Sequence, residues 1–583
     1  MARLPAPAAP PGPPARAPRS ALACAGLLLV GLLGGWLAGC GEREPATAPP
    51  PSTAPVPAQP ASDTGEVALR TWQGFYKQEK DRIPEPLVNN PGDPWGEFVG
   101  SRACAPCHAD EFQRWRRSFH SRTFYSAVQG TVLAPFDGRE ITAPALDHVT
   151  RREMPSPYVA RVTSEVDAGG RTRYFMHLRE RTEEEGWPRG RTRDTYAGRL
   201  EMPPVGKGTK QEVLFAFGNR RHQPFIVRWS APGDAQHDGK HYVLPFYWND
   251  AEKDWMYDGF RPYVESCAQC HVTGIKSTTE GGHGRRPLNM VTGPERYSLA
   301  PKDEGWAEGA VGCETCHGPG AQHVAAVNHA GIERYRELRR TGQKPPSIFP
   351  STKGSDTQER LTQQCDACHN FHTESPVTFM PGPHGYGRDA LHKPLRPQED
   401  PHHVQHYPDG TKKSPCSIGH DFRTSEMWHA GLHCADCHDP HGSEHFASLK
   451  ASIHDNTLCT DCHVDMASPE AQARHGRHQP GSPGNLCVEC HMPRHKIFTN
   501  GQQHMSDRIF SHVFSVPRGG AQAGSPPTSC NICHVDRDEA WSEREIREGW
   551  RAEREERAAR KAAEAAPGSG PARSAPGTPA PPR

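Results

Sequence analysis

Eight times along 583 residues the chain repeats the pattern Cys-x-x-Cys-His. The cysteine pairs are Cys104/Cys107, Cys267/Cys270, Cys313/Cys316, Cys365/Cys368, Cys434/Cys437, Cys459/Cys462, Cys487/Cys490 and Cys530/Cys533. The histidines that follow them are His108, His271, His317, His369, His438, His463, His491 and His534. The spacing lets two thiols reach the two vinyl groups on one edge of a haem and form thioethers, while the adjacent imidazole binds the iron from one face. Zinc ribbons have no need of an obligatory following histidine, and exported disulfide frameworks show no such fixed pair. The pattern therefore predicts eight covalently attached c-type haems, with those eight histidines as proximal iron ligands.

Haem also accounts for a composition that is otherwise hard to fold. Only 34% of residues are hydrophobic and 8% aromatic, and Gly and Pro number 56 and 59. A mean hydropathy of −0.76 leaves little for a side-chain core. Eight anchored apolar rings replace the missing core, as metals and disulfides staple small domains. Lys+Arg and Asp+Glu each number 68, so the net charge is zero and no electrostatic footprint for nucleic acid is present.

The N-terminus predicts export. Arg3, Arg16 and Arg19 precede an apolar stretch over 21–40, which closes on Leu37-Ala38-Gly39-Cys40. That ending resembles a lipoprotein cleavage site, with 1–39 as signal peptide and Cys40 as the lipidated residue. An uncleaved anchor helix is the alternative, since about 18 apolar residues just suffice to span a bilayer. Residues 40–97 read as a Pro-rich tether. The chain is thus expected in a bacterial cell envelope, lipid-anchored, periplasmic or at the outer-membrane surface.

Motif spacing divides the rest into a first haem segment (98–135), an inserted β-rich domain (136–262), a heptahaem domain (263–540) and a charged helix with a disordered tail (541–583). Short β-branched and aromatic runs at 158–166, 171–180, 212–218, 224–230 and 241–249 predict a small antiparallel sheet. Helix is expected over 109–127, 333–342 and 541–566, the last with a solvated charged face. The fold class predicted is mainly α and irregular, haem-packed, with that inserted β domain.

Several quoted segments resemble the multihaem cytochromes of the cytochrome c-552/c-554 type, the group with doubled CxxCH motifs. They are Gly100 to His108 with Trp115-x-x-Ser118-x-His120, Cys267 to Gly274, Val311 to His323, Gly431 to His441, and His475-Gly-Arg-His478 ahead of Cys487. The resemblance spans roughly residues 98–541 and implies electron transfer; the tetratricopeptide extension of larger members is missing. Octahaem reductases of that wider group mark the catalytic haem by an unusual ligand, often lysine, whereas all eight motifs here end in histidine.

Distal ligand candidates are His120, His323, His441, His478 and His512. His441, three residues after His438, is too close to cross the same ring and should reach a neighbouring haem. Histidines at 384, 392, 402, 403 and 406 cluster without a motif. Cys416-Ser-Ile-Gly419-His420 lacks a second cysteine. It reads as an incidental cysteine, with a ninth, singly attached haem as the alternative. Function is expected to be electron transfer along closely packed bis-histidine haems. The partners expected are other redox proteins or quinol-linked complexes, plus the membrane through lipid on Cys40. A reductase of a small nitrogen or sulfur oxyanion with one open haem is the alternative, and a structural lipoprotein a third.

Overall fold

The computed structural model describes residues 98–559 apart from 147–152, 188–202, 276–304, 342–356, 375–392, 395–405, 412–417 and a few shorter stretches. The signal stretch, Cys40, the tether, Cys416 and the C-terminal tail lie outside the described residues.

The strands predicted from β-branched and aromatic runs belong to one antiparallel sheet of eight strands. They are β1 (Phe124–Ser126), β2 (Asp137–Ile141), β3 (Tyr158–Val166), β4 (Thr172–Glu180), β5 (Thr209–Phe217), β6 (Phe225–Arg228), β7 (His241–Val243) and β8 (Arg261–Pro262). Their order is β8-β7-β6-β5-β4-β3-β2, and β1 adds to β5 with Phe124 opposite Phe217. The sheet therefore draws in residues on the near side of position 136 and is larger than the small one expected. The expectation of a mainly α and irregular chain holds only for the motif segments. The run 241–249 does not form one strand. Pro245 cannot donate to a ladder, so β7 ends at Val243 and Phe246–Asn249 pairs instead with Asp254–Tyr257.

Side-chain alternation gives the sheet two apolar faces. In β6, Phe225 and Val227 enter a large cluster with Phe136, Trp229, Tyr242, Trp255 and Phe260. Ile226, between them, points the other way and joins Phe124, Phe217, Val243, Tyr263 and Trp306. That second cluster also holds Ala268 and Val272, within and just after the second motif. The far face of the sheet is thus the floor on which the second motif sits. Each buried ring or branched side chain contributes roughly 1.5–3 kcal/mol relative to exposure.

Elsewhere the elements are short. The motifs ride on helices of a turn or so, such as Ser101–Cys104, Cys313–His317, Cys434–Cys437, Cys487–His491 and Ser529–Cys533. The longer Thr357–His369 carries the fourth. The helix Ile332–Arg340 lies where sequence placed one. The helix expected over 109–127 does not run through: Ala109–Arg116 is helical, His120–Arg122 is a 3-10 turn, and β1 follows. Ser118 and Ser121 hydroxyls donate to the Trp115 and Arg116 carbonyls at 2.7 and 2.9 Å and end the helix locally. The C-terminal helix is Glu539–Gly549, with the Asp538 side chain accepting from the Trp541 amide. Trp541 lies 5.0 Å from the His534 ring, so this helix is seated on the eighth motif and is not wholly solvated. No helix among the described residues is long and apolar enough to cross a membrane.

Candidate haem-binding site

One turn of helix sets the two cysteines of a motif, three residues apart, on the same face. None of the sixteen described cysteines is in a disulfide. Among the described residues no three or more His, Cys, Asp or Glu side chains converge as they would around a bare metal ion.

Two of the attachment positions differ from the rest in exposure. Cys107 and Cys462, the second cysteines of the first and sixth motifs, are exposed, whereas the other fourteen are at least partly covered. His108 and His463, which follow them, are exposed as well. The reason lies in how each motif turns. The first cysteine faces inward, with the Cys104 thiol against Cys313 and the Cys459 thiol against Cys487. The chain then closes a tight turn, the Cys107 amide donating to the Cys104 carbonyl at 3.2 Å and the Cys462 amide to that of Cys459 at 3.3 Å. Polar residues follow both turns, Asp110 and Glu111 after the first and Asp465 after the sixth, so the second cysteine is left at the surface. Thioether formation needs reach to a vinyl carbon and not burial, so Cys107 and Cys462 fit attachment at a solvent-facing haem edge.

The motif histidines meet histidines from elsewhere. His369 faces His120 at a centroid separation of 6.4 Å. His317 faces His441 at 6.1 Å and His438 faces His512 at 6.4 Å. His491 faces His475 at 6.0 Å and His534 faces His478 at 6.2 Å. These gaps are too wide for stacked rings in contact. Two imidazoles on opposite sides of one iron, each bonded through a nitrogen about 2 Å away, have centroids roughly 6 Å apart. The donor set and its spacing fit a six-coordinate haem at each pair.

Second partners fix the ring orientation. Nδ1 lies against a backbone carbonyl in His438 (Ala447, 2.9 Å), His491 (Ser515, 3.1 Å), His512 (Phe510, 3.0 Å), His478 (Gly476, 2.6 Å) and His120 (Pro440, 3.4 Å). With Nδ1–H donated to the carbonyl, Nε2 keeps its lone pair for a metal. Burial pushes His369 and His512 down to about 4, and neighbouring histidines add to the effect. Burial also lowers His120 and His438. These imidazoles are neutral at pH 7, the form that ligates iron.

Four of the five predicted distal candidates are therefore in pairs, but not with the motifs nearest in sequence. His120 belongs to the fourth motif, His441 to the third, His512 to the fifth and His478 to the eighth. His323 lies half-buried on the helix Ala321–Ala330, straight after the third motif. His475 was missed as a candidate. The signal was the doubled histidine of His475-Gly-Arg-His478, where Arg477 takes the left-handed conformation (φ 57°) and lets the two rings turn to different motifs. Trp115 is buried, with Nε1 donating to the Val311 carbonyl at 2.9 Å.

Contacts join the motifs to one another. The Cys104 side chain lies beside Cys313, Cys270 beside Cys368, Cys365 beside Cys434, and Cys459 beside Cys487. Gln364 donates to the Cys316 carbonyl at 2.5 Å, and Ser529 to that of Cys490 at 2.9 Å. Cys437 and Leu458 pack against the same small apolar cluster, linking the fifth and sixth motifs. All eight motifs thus form one connected series, with the second a branch from the fourth. Buried carboxylates lock its first end. Glu314 accepts from the Val99, Gly100 and Gly320 amides at 3.0, 2.8 and 2.6 Å. Glu308 accepts from the Ser101 amide and hydroxyl at 3.1 and 2.8 Å, and Ser101 Oγ in turn accepts from the Cys313 amide.

A family model for the doubled CXXCH motif matches residues 429–468, which hold the fifth and sixth motifs. The chain is a multihaem c-type cytochrome. It is 28% identical over 152 residues to cytochrome c-554 of Nitrosomonas europaea, covering 26% of this cytochrome and 48% of that protein. It is 26% identical over 218 residues to the multiheme cytochrome MtrA of Shewanella baltica, covering 36% and 54%. A match of 21% over 425 residues reaches the dissimilatory sulfite reductase MccA of Wolinella succinogenes, covering 68% and 51%. This cytochrome spans about half the length of each of these relatives. Among solved structures it is similar to the outer cell wall cytochrome OcwA, with a TM-score of 0.45 and 15% identity over 80% of this chain and 90% of that one.

Proposed function

We propose that this cytochrome is an exported octahaem electron-transfer protein that passes electrons between redox partners of the cell envelope. The observation that carries this is the five histidine pairs, each set to fill both axial positions of one iron. Haem bound there supplies reversible one-electron exchange between ferrous and ferric iron. The residues do the rest: two imidazoles hold each site in one geometry through the change of charge, and in each pair but one a backbone carbonyl keeps at least one ring aimed. The motif-to-motif contacts support a continuous path from the first motif to the eighth. Export and a lipid anchor at Cys40 follow from the sequence. Cys40→Ala should move the protein from the membrane to the soluble fraction, and unchanged membrane pelleting would favour an anchor helix instead.

One observation favours a second reading, a reductase of a small nitrogen or sulfur oxyanion. Among the described residues no second histidine ring faces His271, as none faces His108 or His463, and at His271 alone an aromatic ring, Phe217, lies edge-on at 4.8 Å. Fully buried Tyr263 packs on the same phenylalanine, with its phenol raised by burial. An open iron position would arise there. Low-temperature electron paramagnetic resonance of the purified oxidised protein separates the two readings. The electron carrier requires low-spin haems throughout, and one strong high-spin haem would transfer the case to the reductase.

A further inference from the structure

We propose that Glu308 takes up a proton when the haems of the first and third motifs accept electrons, so that this cytochrome binds protons as it is reduced. This rests on the reading of those motifs as redox-active haem sites.

Two carboxylates lie buried where the first and third motifs meet, and their surroundings differ. Glu314 accepts from three backbone amides, those of Val99, Gly100 and Gly320, which together hold it in its charged form. Glu308 is fully buried, and both of its hydrogen bonds, from the Ser101 amide and hydroxyl, go to one oxygen. Its other oxygen, Oε1, is buried without a hydrogen-bond partner. An ionised carboxylate with a bare oxygen in a dry site is costly, and a proton removes most of that cost. The fold nevertheless makes room for this side chain. A Cβ on Gly312 would stand 2.1 Å from Glu308 Oε2 and 2.7 Å from Ser101 Oγ. Glycine ahead of Cys313 lets the third motif close over the carboxylate.

Glu308 is tied to both attachment edges. Ser101 opens the helix Ser101–Cys104, and its Oγ accepts from the Cys313 amide at 2.9 Å. The Cys104 and Cys313 side chains lie side by side, with the Glu308 carboxylate near both. As thioethers these sulfurs no longer titrate. Two other charged groups face Glu308 among the described residues. Glu314, on the third-motif helix, favours the proton, and Arg102, on the first-motif helix, opposes it. Across the ladder from its own strand stands uncharged Thr273. Burial pushes the Glu308 carboxyl up to about 7, so proton exchange falls at neutral pH.

An electron arriving on iron adds negative charge to a site that already holds two carboxylates away from water. A proton from solvent then neutralises one of them. Ferric iron, one electron, the carboxylate and one proton become ferrous iron and the carboxylic acid, and the O–H bond is the one bond formed. By linkage, the proton favours reduction by the same factor by which reduction favours the proton. Holding Ser101 in place asks only for an acceptor, which glutamine also supplies, so Glu308→Gln separates the proton from the structural role.

The test reduces the full-length holoprotein stepwise, without air, in weakly buffered solution at pH 7. The haem α-band counts electrons and a pH indicator counts protons. Wild type should take up more protons than Glu308→Gln, the difference approaching one per molecule and fading well below and well above pH 7. The reduction equilibrium of one haem should change by up to about tenfold per pH unit near neutrality and lose that dependence in the variant. In wild type alone, reduction should bring up the C=O stretch of a protonated carboxyl in the infrared difference spectrum, a band that Glu308→Gln removes. Equal proton uptake in the two proteins, or full reduction of wild type without that band, would overturn the proposal. Because the α-band counts electrons separately, such a result leaves electron transfer standing. Failure of the haems to reduce would instead break the reading beneath the proposal, and the proposal with it.

Discussion

The sheet and the motif segments of this cytochrome are stabilised in opposite ways. The sheet buries a continuous set of side chains, with Phe225, Trp229, Phe246 and Phe260 at 0–1% exposure. Among the later motifs the buried apolar cluster shrinks to Leu449, Ile453, Leu486 and Val488. There the inward-facing groups are imidazoles about 6 Å apart. One region carries its core in its sequence; the other leaves room for a core that is added after synthesis. A polar, Pro- and Gly-rich chain can therefore fold where it binds haem, and needs aromatic density only where it does not.

The largest test of this contrast is to withhold haem. In chain produced without haem attachment, hydrogen exchange should show protected amides in β3 to β7 and none in the motif helices. Equal protection in both regions would break the comparison. Next in size is Phe225→Ala, which removes a fully buried ring from the sheet and should cost about 3–5 kcal/mol of unfolding free energy. The haem spectrum of the folded variant should not change.

Glu308 joins the regions and gives a pH signature. Burial pushes its carboxyl up to about 7, against the opposing hydrogen bonds from Ser101. The folded state then binds the proton more tightly than the unfolded chain does. Its stabilising contribution is complete below the ordinary value of 4.5 and is lost as pH rises through about 7. Over that window wild type should lose on the order of 3 kcal/mol relative to Glu308→Gln, measured by denaturant unfolding. Parallel stability curves for the two would remove Glu308 from the account. Smaller again is His237→Ala. His237 is buried, with Nδ1 at 2.6 Å from Asp234, and is a structural histidine of the sheet region. The variant should cost about 1–3 kcal/mol and leave every haem spin state alone.

Sequence made the strands legible because they are β-branched and aromatic runs bounded by turn residues: Tyr158–Val166 lies where the run 158–166 placed it. The motifs were legible because attachment chemistry fixes their spacing. That spacing is the same in all eight, so it carried no sign that Cys107 and Cys462 come to the surface; their exposure is set by what packs over each turn. Hidden too was which histidine meets which motif. His120 and His369 are separated by the whole sheet in sequence, and no local pattern sets that pairing. It depends on the Asp439–Gly442 turn, where Gly442 (φ 100°) approaches the Arg114 carbonyl too closely for a side chain, and Asp439 pairs with Arg114. His120 Nδ1 rests against Pro440 of that same turn. Sequence also overextended the first helix, because alternating polar and aromatic residues after Arg116 read as helical until Ser118 and Ser121 are seen to bond backwards.

The central claim is that these histidine pairs straddle iron, and His120→Ala tests it most directly. The variant should convert one low-spin ferric haem to high spin in low-temperature electron paramagnetic resonance. It should also raise that haem's reduction potential, since losing an imidazole donor disfavours ferric iron. A His120→Ala protein with its full complement of haem and no new high-spin signal would contradict the account.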